Sequence, residues 1–328
     1  MNMRLLAVLS LLFAGTGALA QTLTVYSGRN EEFVEPVVED FIAETGIEVE
    51  VRYGDTAELA ATILEEGQNS PADVFLAQDA GALGALAGAG LFTELPKATL
   101  ERVEPRFRSA ENLWVGVTGR ARVLAYNTDA YTPETLPESI FDLTGDAYRG
   151  RVGWAPSNGS FQAFVTAMRV LEGEERAREW LEDMIANDVQ TYTDNSSQIE
   201  ALERGEIDLG LVNHYYLYRY LAEQGESFPV RNHYFSDADL GSLINVAGAG
   251  ILATTDQPDE AQRFVDYLLS ESAQQHFTNA VFEYPLVSGI ETNDLLVPLS
   301  DIETPELDLS NLDDLEGTLE LLSEVGAL

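Results

Sequence analysis

Short apolar runs alternate with amphipathic ones from residue 22 onward, and that alternation confines the chain to an α/β fold. Residues 22–26 carry a strand pattern, followed by the turn Ser27-Gly28-Arg29-Asn30. A helical stripe of Phe33, Val34, Val37, Val38, Phe41 and Ile42 comes next and stops at Thr45-Gly46. Residues 47–52 alternate as a second strand, so a βαβ unit is complete by Tyr53. The spacing then predicts a helix over 57–66 and, after Ser70-Pro71-Ala72-Asp73, a buried strand over 74–77. An Ala/Gly-rich helix over 80–90 has the small residues that close packing needs. Further strands are expected over 114–118 and 122–126 (with Gly119-Arg120 between them), 151–154 and 189–192. Helices are expected over 162–171 and 175–186, and Ser197-Gln198-Ile199-Glu200 reads as a capping box opening a helix to Arg204. Strands over 242–246 and 250–253 flank Ala247-Gly248-Ala249, Asp256 is placed to cap a helix over 258–269, and helices over 271–280 and 313–324 close the chain. No repeat of solenoid period is present. The pattern implies mixed, mostly parallel sheets flanked by helices, in two lobes crossed by more than one connecting strand.

Within that frame the stretch Glu206-Ile207-Asp208-Leu209-Gly210-Leu211-Val212-Asn213-His214-Tyr215-Tyr216 stands out. Residues 207–212 read as a short buried strand, and helical spacing follows to about residue 224, with Asn213 where an N-cap belongs. Tyr215 and Tyr216 therefore fall in the first turn of a helix at the carboxyl end of a strand, the edge where open α/β sheets bind ligands. Side chains there can lean past the helix end toward one point, where unpaired N–H groups favour negative charge. Two phenolates would suit a hard cation such as Fe(III). Hydrogen bonding, cation–π contact or plain packing are the other uses of such a pair, and packing is the reading given to Tyr218 and Tyr220. The turn Pro156-Ser157-Asn158-Gly159-Ser160-Phe161 ahead of a helix is either an anion cradle or an ordinary capped turn.

Met1-Asn2-Met3-Arg4, an apolar run over 5–13 and small residues ending Ala18-Leu19-Ala20 make a secretory signal peptide over 1–20, with Gln21 as the mature start. The run is too short to span a membrane. The address is thus a soluble periplasmic protein. The chain holds no cysteine, which removes disulfides, thiol catalysis and cysteine metal sites together. Asp and Glu number 56 against 18 Lys and Arg, so nucleic acid and anionic lipid are excluded as partners. No nucleophile-with-base arrangement or phosphate loop appears, and with three histidines the chain is not read as an enzyme.

The order of these pieces resembles the ferric-binding-protein and iron-deficiency-induced family, the periplasmic iron-binding proteins of ABC transporters. The resemblance covers essentially the whole mature chain. It is carried by Val25-Tyr26-Ser27-Gly28-Arg29, Ser70-Pro71-Ala72-Asp73-Val74-Phe75, Thr118-Gly119-Arg120-Ala121-Arg122-Val123, Asn158-Gly159-Ser160-Phe161, Asn195-Ser196, Gly205-Glu206-Ile207-Asp208, Asn213-His214-Tyr215-Tyr216 and Glu283-Tyr284-Pro285-Leu286. It implies a type II periplasmic-binding-protein fold, a first lobe over 21–120 and 245–290, a second over 121–244 and 291–328, and a ligand cleft between them. Tyr215 and Tyr216 are implied as Fe(III) ligands, and a monomer delivering its cargo to an inner-membrane ABC permease is the implied partnership. Where many members carry a histidine ligand this chain has Asn30, and where some carry a carboxylate it has Gln78, next to Asp79. Where some have a further tyrosine it has Ser160 or Phe161. Fe(III) takes about six hard donors, so the remainder comes from a synergistic carbonate or other oxyanion with water, or from Tyr26, Glu31 or Asp79. The anion reading is favoured, with Arg29 and Arg120 as its holders and Asn30, Asn158, Gly159, Ser160, Asn195 and Asn213 around it. Tyr26 is expected to pack at the cleft base, and His214 to sit behind the ligands or face solvent. The alternative cargo is an oxyanion alone or a polyamine.

Overall fold

The computed structural model describes residues 22–328, so the leader expected over 1–20 lies outside the described residues. In chain order the strands are β1 (Leu23–Ser27), β2 (Val49–Tyr53), β3 (Val74–Ala77), β4 (Val115–Asn127), β5 (Val152–Trp154), β6 (Gln190–Thr191), β7 (Leu209–Asn213), β8 (Val230–His233), β9 (Ile244–Ile251) and β10 (Tyr284–Pro285). The helices are α1 (Glu31–Thr45), α2 (Thr56–Glu66), α3 (Ala80–Gly88), α4 (Lys97–Leu100), α5 (Gly159–Glu172), α6 (Glu174–Ala186), α7 (Asn195–Glu203), α8 (Tyr215–Gln224), α9 (Pro258–Leu268), α10 (Glu271–His276) and α11 (Leu315–Glu324).

The strands run in the order β2-β1-β3-β9-β4-β7-β5-β6, with β8 and β10 also paired to β4. Parallel pairing belongs to the two wings, β2-β1-β3 and β7-β5-β6. The middle is antiparallel, because β9 returns beside β3 and β4 runs on from one wing to the other.

Gly119-Arg120 does not interrupt the chain there. The two strands expected over 114–118 and 122–126 are one strand of 13 residues, pairing with β9 in its first half and β7 in its second. Arg120 stays in the ladder because its guanidinium finds partners inside the protein. The strands expected over 242–246 and 250–253 likewise merge into β9. Gly248 lies between β3 and β4, and a Cβ there would sit 2.8 Å from the Val115 carbonyl oxygen.

Helix starts shift by local capping chemistry. The cap of α7 is Asp194, whose carboxylate accepts the Ser197 N–H at 2.8 Å, so the box lies one turn earlier than Ser197-Glu200. A carboxylate binds the positive helix end better than a hydroxyl does. Gln257 rather than Asp256 occupies the cap position of α9, since Pro258 takes the first helical place. The helix expected over 271–280 loosens after α10 into a π-helix over Phe277–Val281.

The small residues of α3 serve the close packing their composition implied. A Cβ at Gly81 would lie 2.8 Å from the Leu312 carbonyl oxygen, so the C-terminal segment presses directly on this helix. Asp73, from the Ser-Pro-Ala-Asp motif, is buried. Its carboxylate accepts the Thr24 N–H at 2.8 Å and the Thr255 hydroxyl at 2.5 Å, tying β1 to the turn before α9.

Candidate functional site

β7 ends at Asn213, and α8 starts at Tyr215 with His214 in the cap position. Asn213 is therefore not the cap. Its N–H goes to Asn195 Oδ1 at 3.1 Å, its Nδ2 donates to Ser160 Oγ at 3.0 Å, and its Oδ1 accepts from Arg122 at 3.3 Å. The two tyrosines share the first turn as expected. Their rings stack with centroids 4.3 Å apart and 28° between planes, and they are 0% and 5% exposed. The Tyr215 hydroxyl is buried without a hydrogen-bond partner. Burial, and then Tyr215, push the Tyr216 phenol well above its ordinary value, while Arg29 and Arg120 pull it down. A cation would replace those phenolic protons and supply the missing partner.

Three buried arginines surround the pair. Arg120 and Arg122 stand two apart on β4 and so project from the same face. Arg120 donates to Ser160 Oγ at 3.1 Å and to the Val246 carbonyl at 3.3 Å, and its Nε is buried without a partner. Arg122 lies 5.6 Å from the centre of the Phe164 ring. Burial and the Arg120 charge lower its pKa to about 9, against the pull of the two tyrosines. Among the described residues neither Arg120 nor Arg122 lies within 4.0 Å of a carboxylate oxygen. Arg29 differs, because its Nη2 is engaged by Glu283 Oε1 at 2.5 Å. Its charge is balanced by a resident carboxylate. Nothing local in sequence signals a partner 254 residues away.

The Asn158 turn comes together with these groups. Asn158 Oδ1 caps α5 by accepting the Ser160 N–H at 3.1 Å, and Ser160 Oγ also accepts from Gln78 Nε2 at 2.7 Å. A Cβ on Gly159 would lie 2.9 Å from Asp79 Oδ2, so the start of α5 touches the start of α3 here. Asp79 itself caps α3 through Ala82 N–H at 3.2 Å. Burial raises its pKa, with Arg120 and the Ala82 and Gly81 N–H groups opposing. Asn195 Nδ2 is a further buried donor without a partner. Across the seam Arg219 forms a two-pronged pair with Glu32 at 2.9 and 3.1 Å, and lies 5.0 Å from the Phe33 ring, whose partner at 6.0 Å is Tyr215.

Several expected residues stay outside this cluster. The Tyr26 hydroxyl donates to Glu66 at 3.2 Å and accepts from Arg52 at 3.1 Å, because β1 turns that side chain toward α2 and not toward the seam. Asn30 and Glu31 are exposed at the start of α1. A groove of about 1200 Å³ between residues 105–112 and 302–309 holds none of the groups above, so burial and donor geometry locate the site. Among the described residues no cluster of three or more His, Asp or Glu could hold a metal.

His214 does not face solvent. Its Nδ1 accepts the Ala121 N–H at 3.2 Å, so the proton sits on Nε2, which donates to the Phe282 carbonyl at 2.9 Å. The ring stacks on Tyr284 at 4.7 Å. Burial lowers its pKa from 6.5 to about 3. The neutral ring thus contributes stability that is complete above the unfolded pKa and is lost as pH falls from 6.5 toward 3. In urea titrations, wild type should lose about 2 kcal/mol more than His214→Gln between pH 7 and pH 5. Equal losses would contradict the buried neutral ring.

Sequence reasoning gave no site role to Arg122 and Glu283, which stand in its motifs, or to Phe33, which it read as core. The signal for Arg122 lay in its spacing from Arg120 within an otherwise apolar strand.

The chain is similar to several known proteins. The family described as "Bacterial extracellular solute-binding protein" matches residues 69–301. The chain is 35% identical to the "Fe(3+)-binding periplasmic protein" of Serratia marcescens, over 94% of this chain and 91% of that one. It is 33% identical to the "Major ferric iron-binding protein" of a Neisseria meningitidis strain, over 96% of each. Its structure is similar to that of iron-bound HitA from Pseudomonas aeruginosa, with a TM-score of 0.89, 38% identity, and 93% and 99% of the two chains covered.

Proposed function

This chain belongs to the bacterial extracellular solute-binding proteins, and from that premise we propose that it captures Fe(III) in the periplasm and delivers it to an inner-membrane ABC permease. The observation that carries the reading is the stacked Tyr215–Tyr216 pair, one hydroxyl orphaned, beside buried arginines. Two phenolates leave Fe(III) with one net positive charge and open positions. A carbonate or similar oxyanion fills them, held by Arg120, Arg122, Asn213 and the Gly159 N–H, since the next three N–H groups of α5 are taken by Asn158. Arg29 contributes charge that Glu283 already balances through Nη2. Asn158, Gly159, Ser160 and Asn195 build the anion side, and Gln78 and Asp79 close it from the other lobe. Residues 21–120 with 245–290 form one jaw and 121–244 with 291–328 the other. The leader over 1–20 directs export.

Titrating the iron-free protein with Fe(III) from a weak chelate in bicarbonate buffer tests this. A visible phenolate-to-iron band and tight binding are expected, with no heat from phosphate, sulfate or putrescine alone. A colourless iron-soaked protein would sink the reading. Oxyanion capture without metal is the second reading, favoured only by the convergence of Gln78, Arg120 and Asn213 on Ser160 Oγ. Polyamine capture is less favoured, because the buried arginines beside Asp79 would repel a cationic ligand.

A further inference from the structure

We infer that Glu283 is a positioning residue for this site: acting through Arg29, it holds one guanidinium against the tyrosine pair and withholds it from the exogenous anion. The inference rests on the Fe(III) reading above. Both members are buried, Arg29 at 3% and Glu283 at 0% exposure. Both carboxylate oxygens are used, Oε1 by Arg29 Nη2 at 2.5 Å and Oε2 by the Thr118 hydroxyl at 2.6 Å. The carboxylate therefore has one orientation, and Arg29 inherits it.

The turn that presents Glu283 is anchored to the tyrosine helix. Phe282 has φ 62°, the left-handed region that a bulky residue enters at a cost. Its carbonyl accepts from His214 Nε2, one residue before Tyr215, and the Glu283 N–H returns to the Phe277 carbonyl at 3.1 Å. A strained residue is kept where contacts on both sides fix it, and here the fixed object is the Glu283 carboxylate. Burial alone would drive Arg29 toward neutrality, but Glu283 and then Tyr215 and Tyr216 more than reverse that, so its charge persists.

Charge balance gives the pair its function. Arg29 is paired directly with a resident carboxylate, whereas Arg120 has only the through-space charge of Asp79 and Arg122 has an amide oxygen, so these two are left to bind an anion. An unmatched third guanidinium beside a trivalent cation would repel it in a site too dry to screen the charge. Removing Glu283 alone leaves Arg29 buried and uncompensated, and an external anion must then take the carboxylate's place.

The test is Fe(III) titration from its nitrilotriacetate complex, with and without bicarbonate, on wild type, Glu283→Gln, Glu283→Asp and the Arg29→Gln/Glu283→Gln double variant. E283Q is expected to bind about 30-fold more weakly without bicarbonate, to regain most of that with bicarbonate, and to show a shifted visible band. E283D should fall between. The double variant, with the excess charge gone, should return to within about tenfold of wild type without bicarbonate. A folded E283Q with wild-type affinity and bicarbonate response overturns the inference. So does a double variant no better than E283Q, which would mark Glu283 as merely structural. If E283Q does not fold, a double variant weaker than wild type by more than about tenfold overturns it instead. Absence of any band in wild type removes the Fe(III) reading and this inference together, which separates that failure from the others.

Discussion

Combining Tyr215→Phe with Tyr216→Phe is expected to abolish the visible band and lower Fe(III) affinity by at least about four decades. The size follows from what the pair supplies. Among the described residues no His or carboxylate cluster can substitute, so both protein anions on the metal disappear at once. Each single variant should keep a weaker, shifted band. Stability is expected to move the other way. The Tyr215 hydroxyl is buried and unpartnered in the iron-free protein, and removing such a group relieves about 1–3 kcal/mol. Tyr215→Phe should therefore melt no lower than wild type without iron, and wild type should overtake it only once iron is bound. A large drop in the melting temperature of iron-free Y215F would mean that the ring and hydroxyl serve packing, not ligation.

Arg120→Gln combined with Arg122→Gln should erase the dependence of iron binding on bicarbonate. Arg120 reaches Ser160 Oγ and the Val246 carbonyl, and Arg122 reaches Asn213, so both are already aimed at the groups that line the anion side. Charge-assisted hydrogen bonds to a buried anion are worth about 1.5–3 kcal/mol each, so about 100- to 10,000-fold in affinity should be lost in bicarbonate and little without it. Isotherms in the two buffers decide the matter. An unchanged bicarbonate response in the double variant would place the anion elsewhere. Arg120→Gln alone carries a second effect, because it removes the charge that eases Asp79 in its burial.

Much of this arrangement is legible along the chain because it depends on local periodicity. The apolar stripe of α1, the small residues of α3 and the tyrosines opening α8 all follow from spacing within one turn or one strand. What is not legible depends on partners far off in sequence. Gly119-Arg120 looks like a turn until the interior supplies Ser160 and Val246 to receive the guanidinium. Asn213 looks like a cap until Arg122, Ser160 and Asn195 claim its polar atoms and let the strand run one residue further. Arg29 looks free until Glu283 returns from the other end of the chain. Tyr26 sits in the right motif, yet strand alternation faces its ring toward α2, where Arg52 and Glu66 take the hydroxyl.

Resonance Raman spectroscopy excited within the visible band of the iron-loaded protein puts the account to its most direct test. Enhanced tyrosinate ring modes are predicted in wild type, weaker ones in each single variant, and none in Y215F/Y216F. A band without tyrosinate modes, or one that survives in the double variant, would contradict ligation of Fe(III) by Tyr215 and Tyr216.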